Sequence, residues 1–218
     1  HLPPHAAVSR ADKLAGVRAA MQALGASHHF ISSVDDIAWL LNLRGSDVDY
    51  NPVFLAHLLL SPEGGQLFVG AGKVDDALAA RLAADGIALA PYPTAADALR
   101  ALPASAVLLL DPRRCTLGLR EAVPATTKVI EQINPSTLAK SRKTALEAAK
   151  VREAMVQDGV AMCEFYAEFE AAPSQRQFRR LTVVRRSRAR ILMSTHPVSG
   201  HEYSAQAVHS IPLAAHRN

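Results

Sequence analysis

The chain has 218 residues, 49% of them apolar and 20% charged, with 24 Lys+Arg against 20 Asp+Glu for a formal net charge of +4. That balance excludes disorder over most of the length and suits one ordinary domain with an extension, or two small ones. No apolar run approaches the roughly 20 residues needed to cross a bilayer, and His1-Leu2-Pro3-Pro4-His5 lacks the basic start and apolar stretch of a signal peptide.

Ser9-Arg10-Ala11-Asp12 reads as a helix start, a hydroxyl cap with an acid three residues on. Leu14, Val17, Met21 and Leu24 follow at helical spacing, and Gly25 can end the helix. His29 to Ser32 is a short strand. Ser33-Val34-Asp35-Asp36 repeats the capping pattern, with Ile37, Leu40 and Leu41 on one face and Gly45 past the end. Leu55 to Leu60 and Gln66 to Val69 are strands joined by Ser61-Pro62-Glu63-Gly64-Gly65. A helix over 73–84, a strand over 87–90, a helix near 94–101 and a buried strand over 106–110 come next, and Pro124 and Pro135 bracket a last strand, Thr127 to Ile133. Alternation of this kind predicts an α/β fold, a mixed sheet flanked by helices with one antiparallel hairpin. From Ser141 to about Ala171 the pattern predicts one long helix. Its apolar stripe, Leu146, Ala149, Val156, Val160 and Cys163, is broadened by Met155, Met162, Tyr166 and Phe169, which implies burial against a partner. Gly159 inside it hints at close packing.

Beyond Pro173 the composition changes. Residues 174–218 hold eight arginines, no lysine and one acid, Glu202, a formal +7, so the first 173 residues carry −3. The basic character belongs to the tail. Cys115 and Cys163 are too few for a disulfide scaffold or a thiolate zinc site, which makes a reducing, cytoplasmic setting the default. The absence of an initiator Met suggests a chain that begins inside a longer one.

The residues that carry chemistry each have a plain structural reading. Asp35-Asp36 can be an acid/base pair or a metal clamp, but neighbours on a helix point about 100° apart, so capping is favoured. Asp47, Asp49 and Asn51 have the oxygen ligands of a calcium loop without its closing Glu. Gly64-Gly65 and Gly70-Ala71-Gly72 lack the lysine and spacing of a phosphate loop and read as turns. No Gly-x-Ser-x-Gly or His-Glu-x-x-His occurs, and His196 and His201 offer only a weak zinc pair. The Arg run 176–190 has one aromatic neighbour, Phe178, so a solvated tail is favoured over a nucleic-acid site.

The stretch Val34-Asp35-Asp36-Ile37-Ala38-Trp39-Leu40-Leu41-Asn42-Leu43-Arg44-Gly45-Ser46-Asp47, continuing Val48-Asp49-Tyr50-Asn51-Pro52-Val53-Phe54, resembles a signature of the aminopeptidase P (Xaa-Pro aminopeptidase) family. Leu138-Ala139-Lys140 leading into Lys143-Thr144-Ala145-Leu146-Glu147 is similar to the junction before that family's catalytic domain. Arg152-Glu153-Ala154 and Asp158-Gly159-Val160-Ala161-Met162-Cys163-Glu164-Phe165 resemble that domain's first helix. The resemblance covers residues 8 to about 172, and its opening, Ser9 to Leu14, looks like the start of the middle domain in three-domain members. It implies a non-catalytic creatinase/prolidase N-terminal-like α/β domain over 1–139, the first helix of a truncated pita-bread metallopeptidase domain over 140–172, and an Arg-rich tail over 173–218.

By the same resemblance, the complete enzyme removes an N-terminal residue that precedes proline, using two manganese ions that share and activate a water. The family's metal ligands, two aspartates, a histidine and two glutamates, lie downstream of the matched helix and have no counterpart in this chain, so no metal or catalytic residue is expected and the chain alone is expected to be inactive. The one substrate-binding residue the resemblance suggests is His209, placed as in the family's His-Tyr pair, although Ser210 stands where the Tyr belongs. A rival account has residues after about 173 read out of frame. The partners implied are peptides with proline in second position and a second copy in a homodimer. The alternative function is a non-catalytic module that docks on a peptidase or another protein.

Overall fold

The computed structural model describes residues 6–49 and 51–171. Ser9 caps the first helix, α1 (Arg10–Ala23), its hydroxyl accepting from the Asp12 amide at 3.1 Å, and Gly25 takes φ +72° just past the end, as the sequence predicts. Then follow β1 (His28–Ile31), α2 (Val34–Leu40), and the hairpin β2 (Ala56–Leu60) and β3 (Gly65–Val69). After these come α3 (Asp76–Ala84), β4 (Ile87–Pro91), a 3-10 turn (Tyr92–Thr94), α4 (Ala95–Arg100), β5 (Val107–Leu110), α5 (Leu117–Glu121), β6 (Lys128–Glu131), α6 (Pro135–Ser141) and α7 (Ala145–Ala171).

The strands form one six-stranded sheet in the order β4-β3-β2-β1-β5-β6. Only β2 runs against its neighbours; β1 pairs parallel with β5, β5 with β6, and β3 with β4. Side chains alternate between two cores. Ile31, Leu67 and Leu109 join Leu14, Ile37 and Leu58 on one face, while Phe30, Phe68, Leu108 and Leu110 join Leu99 and Val123 on the other. Because both faces are covered, β5 is apolar without a break, which is why 106–110 reads as a buried strand in the sequence.

Several details differ from the sequence reading: the helix expected over 73–84 begins at Asp76, and a short helix, α5, stands where none was expected. The helix α2 ends before Gly45: its turn is made by Asn42, at φ +55°. Gly45 serves packing instead, since a Cβ there would sit 2.6 Å from the Phe54 Cβ. Pro135 does not merely close a strand; it occupies the first turn of α6, where its missing N–H costs nothing. The long helix begins at Ala145 rather than Ser141, because Arg142 is extended and Thr144 starts afresh with a reciprocal cap. Glu147 N donates to Thr144 Oγ1 at 3.2 Å, and Thr144 N donates to the Glu147 carboxylate at 2.8 Å. Thr144→Ala removes half of that box and is expected to cost about 1 kcal/mol, read as a lower urea midpoint at unchanged slope.

Two compact units divide the chain, one through Val151 and one from Arg152. The second unit carries most of α7, where Met155, Val156, Val160, Met162, Tyr166 and Phe169 are all exposed. Apart from its chain neighbours and the helix's own nearby backbone, no described residue lies within 4 Å of a Cβ placed on Gly159, so the close approach expected there has no described partner.

Candidate functional site

Asp35 and Asp36 sit in the first turn of α2, where acids suit the helix dipole. The cap itself is unusual: the Ser33 hydroxyl bonds no backbone N–H but donates to Asp35 Oδ1 at 2.7 Å. Asp36 turns inward, 1% exposed. Its Oδ2 accepts from Thr137 Oγ1 at 2.6 Å and from Asn134 Nδ2 at 3.2 Å, and its Oδ1 lies 2.9 Å from the Lys140 ammonium. Lys140 also pairs with Asp35. Burial opposes charge on Asp35, but the hydrogen bonds from Lys140 and Ser33 outweigh it and hold the carboxyl below its ordinary range. Burial likewise works against the Lys140 ammonium, and the two carboxylates reverse the balance and raise its pKa. Asp35-Asp36 is thus neither a capping pair alone nor an acid/base pair. It is a clasp that fastens α2 to α6.

Beside the clasp lies Trp39, the only tryptophan. The Lys13 ammonium stands 4.2 Å from the centre of its ring and donates to Trp39 O at 2.9 Å and to Asn42 Oδ1 at 2.7 Å. Lys13 therefore ties α1 to the carbonyl end of α2. Burial lowers its pKa to about 8, with Glu147 pulling the other way. The Glu147 carboxyl is pushed up by burial, but its interactions with Thr144, Trp39 and Lys13 outweigh that and hold it below its ordinary range. On one side of Trp39 a cleft of about 420 Å³ is lined by Asp35, Arg44, Pro52, Lys140 and Glu147. On the other a cleft of about 430 Å³ is lined by Lys13, Pro135, Arg142 and Glu147. The signature segment thus builds the joint between the sheet and the start of α7.

The chemistry this joint can do is positional. Its acids are all engaged by cations or hydrogen-bond donors. The other candidates are engaged too: Asp47 Oδ2 accepts from the Leu55 amide at 2.6 Å and pairs with Lys73, so it braces a loop rather than waiting for calcium. Ser32 Oγ lies 3.0 Å from His57 Nδ1, a hydroxyl–imidazole pair, yet the ring is stacked between Phe30 and Tyr92 at 5.5 and 4.8 Å. Burial alone depresses the His57 pKa, with no carboxylate acting on it. Among the described residues no group of three or more His, Cys, Asp or Glu can hold a metal ion, so these residues do not fit a two-metal centre. Both cysteines are free thiols, and burial raises the pKa of Cys115. No described helix is long and apolar enough to cross a membrane. His209, His196, His201 and the Arg run 176–190 lie outside the described residues.

Sequence reasoning missed Asn134, Thr137, Lys140 and Lys13 as members of the joint. One signal was present: Lys13 stands among Leu14, Val17 and Met21 on the buried side of α1, where a cation needs partners. Asn134-Pro135 is a second, as a cap followed by proline at a helix start.

The family model for the creatinase/prolidase N-terminal domain matches residues 2–147. Among curated proteins, the chain is 35% identical over 159 residues to Xaa-Pro aminopeptidase 1 of Dictyostelium discoideum, covering 73% of this chain and 25% of that one. It is 31% identical over 165 residues to a probable Xaa-Pro aminopeptidase P of Sclerotinia sclerotiorum, covering 72% and 28%. This chain therefore spans about a quarter of the length of these relatives. Among solved structures, an X-prolyl aminopeptidase of Caenorhabditis elegans, described as a cytosolic enzyme with a di-nuclear active site, matches with a TM-score of 0.67 at 22% identity, over 76% of this chain and 28% of that one. A Xaa-Pro dipeptidase of Bacillus anthracis matches at 0.55 and 14% identity, over 83% and 50%. The six-stranded mixed sheet and its flanking helices agree with these folds, and the resemblance read from the signature segment is confirmed. The chain belongs to the creatinase/prolidase N-terminal domain family, and its curated relatives are Xaa-Pro aminopeptidases.

Proposed function

We propose that this chain is part of a Xaa-Pro aminopeptidase, a hydrolase that removes an N-terminal residue preceding proline. In that reading residues 1–139 are its non-catalytic α/β domain, and 140–172 open its catalytic domain. The observation that supports it is the likeness to curated Xaa-Pro aminopeptidases over 159 and 165 residues, beside the N-terminal-domain match over residues 2–147 that runs through the signature, the clasp and the cap of α7. The joint around Trp39 then has a purpose: it fixes the direction in which the chain leaves the sheet for the catalytic domain. The metallopeptidase chemistry, two manganese ions and a cytoplasmic setting belong to the complete enzyme in this reading, and His209 is its one candidate substrate contact in this chain. The described residues supply no metal site, so no step of the hydrolysis is assigned to them.

The test is direct. The purified full chain, given manganese and a peptide with proline in second position, is expected to release no N-terminal residue, while a complete homologue does. Turnover by this chain, abolished by a chelator, would overturn its assignment as a non-catalytic part.

The exposed apolar side chains of α7 serve this reading and equally a second one, a module that docks on a peptidase or another protein. Both predict concentration-dependent association in sedimentation, which a strictly monomeric chain at all concentrations would contradict.

A further inference from the structure

Gly159 lies near the middle of α7, where glycine weakens a helix and where the helical backbone does not call for it. The residues three, four and seven positions to either side share its face. These are Arg152, Met155 and Val156 before it, and Met162, Cys163 and Tyr166 after it. All six are exposed, whereas Ala161 and Glu168, round the far side of the helix, are half-buried. The face centred on the glycine is therefore the open one, and it is largely apolar.

That face is symmetric about Gly159. A two-fold axis through the glycine and perpendicular to α7 sends each position before it onto the equally distant position after it. Met155 of one copy then lies on Cys163 of the second copy, and Val156 on Met162. A glycine at the crossing point lets the two backbones approach closely, which gives the residue a use.

Charge selects the same direction. Residues 140–152 hold five bases and one acid, while residues 153–171 hold five acids and no base. Acids at the end of a helix, with no base in its last turn, oppose the macrodipole. An antiparallel neighbour brings its basic start to that acidic end, whereas a parallel neighbour would set acid against acid.

We infer that two copies of this chain form a homodimer through α7, the two helices crossing antiparallel at Gly159. A second copy is the occupant because the face is complementary to itself, in its apolar pairs and in its charge. The inference does not rest on the peptidase reading.

Cross-linking of the full chain tests both the contact and its direction. In a Cys115→Ser background, Met155→Cys leaves two exposed thiols, at position 155 and at Cys163. They stand about 12 Å apart along one helix, too far for a disulfide within a copy. Mild oxidation by oxygen and copper phenanthroline is expected to give a covalent dimer whose linked peptides join position 155 to position 163. Links of 155 to 155 and 163 to 163 in their place would mean a parallel pair and overturn the inference. Sedimentation of the natural chain is expected to show a monomer–dimer equilibrium, weakened about tenfold or more in Gly159→Arg, whose side chain fills the crossing point. The variant's helix content should hold, because arginine suits a helix better than glycine and a Cβ there meets open space within its own copy. A natural chain that stays monomeric, as it would if residues 174–218 covered the face, overturns the inference. So does a dimer indifferent to the substitution at Gly159.

Discussion

Asp36→Ala is expected to lower the stability of the domain by about 3 kcal/mol. The carboxylate is 1% exposed and takes donors from Asn134 and Thr137 while facing Lys140. Its removal strands the buried Asn134 amide and forfeits two hydrogen bonds to a charged acceptor, each worth about 1.5–3 kcal/mol. Lys140 is not stranded, since it keeps Asp35 and partial access to water, so the loss stays at the low end of that for breaking a buried ion pair. Asp36→Asn should cost less, because its remaining oxygen can still accept from Thr137. Asp35→Ala, at a half-exposed carboxylate, should cost under about 1 kcal/mol. Urea denaturation of the three variants measures the order. Equal losses at Asp35 and Asp36 would mean that the clasp acts through surface charge alone.

The second large effect is on acid stability. The His29 pKa is lowered by burial to about 4 in the folded chain, against 6.5 when exposed. The unfolded state therefore takes up a proton first as the pH falls. Stability is present in full above about pH 6.5, declines through the window from 6.5 to 4, and is flat with respect to this residue below that. At roughly 1.4 kcal/mol per pH unit the total loss is about 3 kcal/mol. His28 and His57 are shifted the same way by burial and add to the slope. His29→Gln keeps a donor for the Leu109 carbonyl but cannot titrate. Its stability, measured by urea denaturation at pH 7, 5.5 and 4.5, should vary less with pH than that of the natural chain. Parallel curves for the two proteins would show that His29 is not the group that titrates.

How much of this was legible in the sequence depends on how far apart the partners stand. The Ser9 cap, the turn at Gly64-Gly65 and the apolar run 106–110 are local, and each was readable because its causes lie within a few residues. α5 and α6 were not readable as helices: each is a short element whose stability comes from what it packs on rather than from its own periodicity. The clasp was hidden for the same reason. Asp36 and Asn134 are 98 residues apart, and nothing near Asp36 in sequence says that its carboxylate turns inward. Capping was the best local account of Asp35-Asp36, and a distant helix superseded it for Asp36. The family, by contrast, was legible, because the signature segment is a single contiguous stretch.

The strand order has a consequence for how the sheet assembles. Strands β1 to β4 lie side by side in the order in which they occur along the chain, so each pairing closes only a short connection. The pairing of β1 with β5 is different: His29 meets Leu109 across 80 residues. Closing that span carries an entropic charge that the earlier pairings escape. The first four strands can therefore zip together as the polypeptide emerges, while β5 and β6 wait for a template already built. The seam between β1 and β5, the fourth and fifth strands of the finished sheet, is then its late one, and the two strands that follow Leu102 owe their placement to the four before it.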